Sequence, residues 1–156
     1  MKGDPKVLAL LNDVLTAELT AINQYFLHAE LCEHWGYQRL HEKVRKESIE
    51  EMKHAEKLIH RVLFLDGLPN LQRLGTLQIG QTVVEQFKAD LALEMDAVQR
   101  LNLAIDQCRQ VNDSGTRELL EHILVEEEQH IDWIETQLEA VKQVGEQNYL
   151  AEQLHG

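Results

Sequence analysis

The sequence predicts an all-α protein: a four-helix bundle with a long crossover between helices two and three and a short fifth helix at the C-terminus. Three observations predict it. Four long stretches carry apolar residues at steps of three and four, the period of one helix face. Only 2 prolines and 8 glycines occur among 156 residues, and they fall at the ends of those stretches or between them. The middle of each stripe is interrupted by a carboxylate, or by a Glu and a His three residues apart, at positions that recur along the chain.

Asp4-Pro5 opens the first helix, with Asp as N-cap and Pro at the first helical position. Leu11, Leu15, Glu18, Ile22, Tyr25, Ala29 and Cys32 then run down one face, and Gly36 ends the helix near Trp35. The second helix carries Leu40, Val44, Glu47, Glu51, His54, Leu58 and Val62, stopping near Asp66-Gly67. From Leu68 to about Gln81 no helical rhythm is visible, and a connection this long fits a chain crossing the length of a bundle. The third helix repeats the pattern with Val84, Phe87, Leu91, Glu94, Val98, Leu101, Ile105 and Cys108. A turn with capping residues follows at Asn112-Asp113-Ser114-Gly115. Leu120, Ile123, Glu127, His130, Ile134, Gln137 and Val141 mark the fourth helix, which stops at Gly145. The tail from Glu146 to Leu154 suits a small fifth helix with Tyr149 and Leu150 on one side. One domain spanning 1–156 accommodates all of this.

The polar interruptions carry the chemistry. Glu51-Met52-Lys53-His54 and Glu127-Glu128-Gln129-His130 share an ExxH spacing, which stacks a carboxylate and an imidazole one helical turn apart. Glu18 precedes Glu51 by 33 residues and Glu94 precedes Glu127 by 33, so the two half-sites are displaced by a constant 76 positions. A carboxylate on an apolar stripe is costly unless it is paired or bound to metal, and four in one core would repel one another. The spacing matches the known template of carboxylate-bridged di-iron centres in ferritin-like bundles. The six candidate metal ligands and catalytic residues are therefore Glu18, Glu51, His54, Glu94, Glu127 and His130. Four carboxylates and two imidazoles favour iron or manganese over zinc. Glu51 and Glu127 are expected to bridge two ions, with Glu18 and Glu94 as terminal ligands. Glu50, Glu56, Glu126, Glu128 and Glu135 are expected to be solvated surface charges. His28, His34, His41, His60, His122 and His155 are expected at the surface or in packing.

Composition excludes other classes. A formal net charge of −12 argues against nucleic acid or an anionic membrane as partner. No apolar run approaches the roughly 18 residues of a membrane span, nor does the start have the apolar core of a signal peptide, so the expected compartment is the cytoplasm. Cys32 and Cys108 form neither a CxxC pair nor a disulfide framework and read as buried small residues.

Several segments resemble bacterioferritin nearly end to end: Met1-Lys2-Gly3-Asp4, Ala21 to His28, Glu47-Ser48-Ile49, Phe64 to Leu71, His130-Ile131-Asp132-Trp133 and Asn148-Tyr149-Leu150. The resemblance implies a hollow shell of 24 subunits that oxidises Fe(II) with dioxygen or hydrogen peroxide and stores ferric mineral inside. It also implies haem b between two subunits, with a methionine from each as axial ligand, and Met52 matches that residue. Haem of this kind would carry electrons inward for iron release, from a small ferredoxin-type reductase docking near Met52 and Leu68. The chain departs from the family where Lys46 and Glu50 stand in place of a frequent histidine and aspartate of an inner-surface iron site, and where Arg45 replaces a frequent aromatic. Two other functions remain as alternatives: a rubrerythrin-like soluble di-iron oxidase or peroxidase without storage, and a subunit of a mixed shell. The first lacks a CxxC pair for a rubredoxin-type iron.

Overall fold

The structure is a computed structural model that describes residues 1–155, so Gly156, the last residue of the expected domain, lies outside it. Five helices follow in order: α1 Pro5–His34, α2 Gln38–Phe64, α3 Val83–Gln110, α4 Ser114–Val144 and α5 Glu146–Ala151. The boundaries have local causes. The Asp4 carboxylate accepts from Val7 N–H, and Asp113 does the same for Thr116 N–H at the start of α4, satisfying donors that a helix cannot pair internally. Thr82 caps α3 through Glu85 N–H. Gly36 turns α1 into α2 at φ 88°, a conformation that favours glycine.

Helix α1 packs on α2 and on α3, α3 on α4, and α5 on α4. The chain thus forms two antiparallel hairpins joined by the crossover. Apolar side chains form two larger clusters toward the ends of the bundle and a smaller one of Ala21, Tyr25, Ala29 and Val44 between them. One of the larger clusters holds Leu11, Leu15, Leu58, Val62, Leu101, Ile105, Leu120 and Ile123. The other holds Cys32, Leu40, Val83, Phe87, Ile134 and Tyr149. Between them α1, α2, α3 and α4 all place polar groups. Several positions differ from the expected stripes: Ile22, Leu91 and Val98 are only half-buried, while Ala21, Gln24, Asp90 and Ala97 are buried. A long helix meets two neighbours rather than one, so its buried face is wider than a single row. Tyr149 is buried against Phe87 and donates to Gln137 Oε1, which docks α5, and Leu150 packs half-buried beside it. Both cysteines are buried and free, as expected.

The crossover is held by a ladder on α1 that the apolar periodicity did not reveal. Asn12 pairs with Leu68 and Asn70, and Thr16 accepts from Arg73 Nε. Thr20, Gln24 and His28 accept from the backbone N–H groups of Gly75, Gln78 and Gly80. These residues recur every four positions, so one polar row of α1 satisfies the backbone of a segment without secondary structure of its own. His28 sits deepest. It is fully buried, accepts from Gly80 N–H at Nε2 and donates from Nδ1 to Asp90 Oδ1 at 2.9 Å. A Cβ on Gly80 would lie 2.3 Å from the Gln86 backbone nitrogen, so only glycine allows this approach.

His28→Leu leaves the buried Asp90 carboxylate and Gly80 N–H short of a partner, at about 1–3 kcal/mol each. The expected drop in thermal midpoint is roughly 2–4 °C per kcal/mol for a chain this size. Scanning calorimetry would register it, and hydrogen exchange should quicken in the crossover before it does in α2 or α4. Uniform quickening would show that His28 supports the whole bundle instead.

Candidate metal centre

Each of the six expected ligands lies inside the bundle, between the two larger apolar clusters. Glu18 comes from α1, Glu51 and His54 from α2, Glu94 from α3, and Glu127 and His130 from α4. Their exposures run from 0% to 6%. The one-turn spacing within each ExxH motif aims both side chains at the same interior point. The donor atoms form two groups whose members lie within 4.8 Å of one another: Glu18, Glu51, His54 and Glu127, and Glu51, Glu94 and His130. Glu51 belongs to both groups. Glu127 belongs to the first, and its charge is felt by Glu94 of the second. His54 Nδ1 is 3.1 Å from Glu127 Oε1 and 3.4 Å from Glu51 Oε2. His130 Nδ1 is 3.2 Å from Glu94 Oε1.

The electrostatics are those of crowded carboxylates. Burial first, and then the neighbouring Glu127, push the Glu94 carboxyl up to about 8. Glu51 and Glu127 are also raised, by burial and then by the nearby Glu94 and Glu51 respectively. Burial alone would lower His54, but its bonds to Glu127 and Glu51 overcome that and lift it to about 11. His130 likewise rises to about 9, against burial, through Glu94. Protons thus provide the positive charge that holds the cluster together. The compensation is incomplete: among the described residues, both carboxylate oxygens of Glu18 and Oε2 of Glu94 are buried with no hydrogen-bond partner. Oxygen acceptors with unused lone pairs beside two imidazoles fit hard divalent cations of the iron or manganese type.

Surrounding residues fix the geometry. The Tyr25 hydroxyl donates to Glu94 Oε1, and burial followed by the Glu94 charge raises its pKa well above the ordinary value. Its ring meets the His130 ring edge-on at 5.3 Å, and Trp133 stacks on His130 at 6.2 Å. The backbones of α2 and α4 make no extended close contact, so long side chains bridge the gap. A cleft of about 300 Å³ opens there from the ligands to the surface, lined by Lys43, Lys46, Glu47, Glu50, Glu126 and Gln129 among others.

One of these residues corrects the expectation from sequence and another adds to it. Glu126 is no simple solvated charge: one oxygen accepts from His54 Nε2 at 2.6 Å and the other from His122 Nε2 at 2.8 Å. Burial would raise its carboxyl, but the bond from His54 and the charges of His54, His122 and Lys57 hold it below the usual carboxylate range. Its side chain is 32% exposed. The step of four from His122 to Glu126 to His130 was the available signal, masked by the many carboxylates of α4. Glu47 was placed on the stripe without a role; its Oε2 lies 3.6 Å from His130 Nδ1, and its Oε1 pairs with Lys43.

Met52 points the other way. It is 57% exposed on the outer side of α2, at an open groove of about 490 Å³ whose walls include Leu19, Ile22, Ile59, Leu71 and Leu74. A thioether among apolar walls suits a flat apolar group with a soft-ligand metal. Leu68 is exposed. Among the described residues, no helix is long and apolar enough to cross a membrane.

Residues 8–144 match the ferritin-like domain family. The chain is 55% identical to the bacterioferritin of Mycobacterium leprae over 152 residues, covering 97% of this chain and 96% of that protein. It is 50% identical to the bacterioferritin of Streptomyces coelicolor, covering 97% and 90%. It is 48% identical to that of Brucella melitensis, covering 96% and 92%.

Proposed function

Because the chain belongs to the bacterioferritin family, we propose that its six buried donors are the ferroxidase ligands of an iron-storage protein. The protein stores iron within an oligomeric shell and oxidises Fe(II), with dioxygen or hydrogen peroxide taking the electrons. The observation that carries the residue assignment is the set of partnerless carboxylate oxygens on Glu18 and Glu94, buried beside His54 and His130. Fe(II) enters as substrate. Glu18 with His54 would serve one ion and Glu94 with His130 the other, with Glu51, which belongs to both donor groups, and Glu127 shared between them. Glu94 and the two imidazoles surrender their protons as iron takes their place. Each Fe(II) loses one electron, and the ferric product leaves through the cleft between α2 and α4 toward the interior of a 24-subunit shell. Tyr25 holds the Glu94 carboxylate in place while this happens.

Met52 would hold haem b, with one methionine from each of two subunits, and the apolar walls of its groove fit such a group. When bound, haem would carry electrons inward to reduce stored ferric iron, received from a ferredoxin-type partner docking near Met52 and Leu68. Free buried cysteines suit the reducing cytoplasm, which is the compartment this reading assigns.

Size exclusion of purified protein, with visible spectra before and after aerobic Fe(II) addition, tests the storage reading. A large shell that develops a ferric absorbance and remains soluble is expected. A small oligomer that forms no mineral would sink it. Met52→Leu should remove the haem Soret band while leaving the shell's elution volume unchanged. A full Soret band in that variant would place the haem elsewhere.

A further inference from the structure

The repeat that relates the two ExxH motifs breaks down one layer outside them. Glu126 stands 76 positions after Glu50, so internal symmetry would give each motif histidine a carboxylate on its outer nitrogen. Only His54 has one. Its Nε2 donates to Glu126 Oε2 at 2.6 Å, and Glu126 Oε1 is in turn bonded to His122 Nε2 at 2.8 Å. Glu50 turns instead to Lys53 at 3.4 Å. Among the described residues, the polar contacts of His130 all fall on Nδ1, toward Glu94 and Glu47.

We infer that Glu126 is a positioning residue for His54, held by His122, and that it makes the Glu18–Glu51–His54–Glu127 half of the centre the tighter metal site. The inference rests on the di-metal reading above. A histidine that ligates through one nitrogen must carry its proton on the other, and a carboxylate accepting that proton fixes both tautomer and ring angle. With Nε2–H given to Glu126, Nδ1 is the nitrogen that faces Glu51, Glu127 and Glu18. The negative charge of Glu126 also makes the imidazole a stronger donor toward the cation. His122 is 60% exposed and reaches Glu126 one turn along α4, so it restrains the carboxylate without entering the core. The His130 half has no such brace. The two ions therefore differ in affinity although their carboxylate sets are related by the repeat.

Co(II) titration of metal-free protein, read by its visible ligand-field bands and by calorimetry, separates these steps. Wild type is expected to take two Co(II) per subunit in unequal steps. Glu126→Ala should weaken the tighter step about 10–100-fold, the range found for outer-layer partners of metal-bound histidine, and move the weaker step less than twofold. Glu126→Gln should restore most of the loss, because its amide oxygen still accepts from His54 Nε2. His122→Ala should shift the same step by a smaller factor. Glu126→Ala also leaves the buried His54 Nε2–H without its acceptor, so its metal-free thermal midpoint should fall, whereas Glu126→Gln, which keeps an acceptor, should stay close to wild type. Equal weakening of both steps, or no weakening, would overturn the inference, and so would a Gln variant as impaired as the Ala variant. A change in the rate of Co(II) uptake with unchanged affinities would also overturn it, making Glu126 a group along the entry path. Wild type that binds no Co(II) would instead bring down the di-metal reading itself.

Discussion

Glu94→Gln is expected to abolish rapid Fe(II) oxidation and, in the metal-free protein, to raise the thermal midpoint at pH 8. Both effects come from one carboxyl group. Glu94 is buried, faces Glu127, and has its pKa lifted to about 8, so the folded chain prefers it protonated. A carboxyl raised above its unfolded value of 4.5 stabilises the fold fully below pH 4.5, and that contribution is lost as pH rises toward 8. Glutamine keeps the shape and an acceptor for the Tyr25 hydroxyl but cannot ionise. The difference between variant and wild type should thus be near zero at pH 4.5, grow with pH and level off above about 8. Weakening of the His130 contact works in the opposite direction, and it is the smaller effect because the amide oxygen still accepts from Nδ1–H. Activity moves the other way, since an amide is a poor ligand for a hard cation and one ion loses its terminal carboxylate. Stopped-flow absorbance of ferric product and scanning calorimetry from pH 4.5 to 8.5 would measure the two together. A variant less stable than wild type at pH 8 would show that Glu94 is held ionised by contacts stronger than those described. Retained oxidation would remove it from the ligand set.

Loading the centre with a redox-silent divalent ion is expected to stabilise the protein far more than any surface contact does. A site filled at 1,000 times its dissociation constant contributes about 4.1 kcal/mol, so two independent sites give about 8 kcal/mol. At roughly 2–4 °C per kcal/mol this is a rise of about 16–32 °C in the thermal midpoint. The size of the effect reflects what the ions replace: protons that only partly neutralise the crowded carboxylates, and oxygens that have no partner at all. Because metal must displace protons from His54 and His130, which hold them up to about 11 and 9, the rise should shrink as pH falls from 8 to 5. Calorimetry with Zn(II) or Co(II) against chelator-treated protein checks it. A shift of only a degree or two, unchanged by pH, would mean that the ions bind at the surface and leave the six buried groups alone.

The fold was largely legible because helix formation depends on local periodicity and on caps that are short in sequence. Asp4, Gly36, Asp113 and Gly145 mark helix ends where the sequence indicates them. Burial of individual stripe positions was less legible. Ile22 and Val98 follow the apolar rhythm yet are half-buried, while Gln24 and Asp90 are polar yet buried, because a helix packed on two neighbours turns a broad face inward. The ladder of Asn12, Thr16, Thr20, Gln24 and His28 had a helical period of its own, but its partners lie in a crossover whose path no local signal encodes.

The chain's own order of residues determined the four helices, their antiparallel pairing and the identity of the six buried donors, because an ExxH spacing stacks a carboxylate and an imidazole on one helix face wherever the helix goes. Tertiary structure alone decided which groups meet across the gap between α2 and α4. It brought Glu126 and His122 to the back of His54, left Glu50 with Lys53, and set Met52 at an apolar groove on the outer face. The contact of Glu126 with His54 joins residues 72 positions apart, on helices whose relative rotation is set by the packing of the whole bundle, and a one-dimensional period carries no information about that rotation.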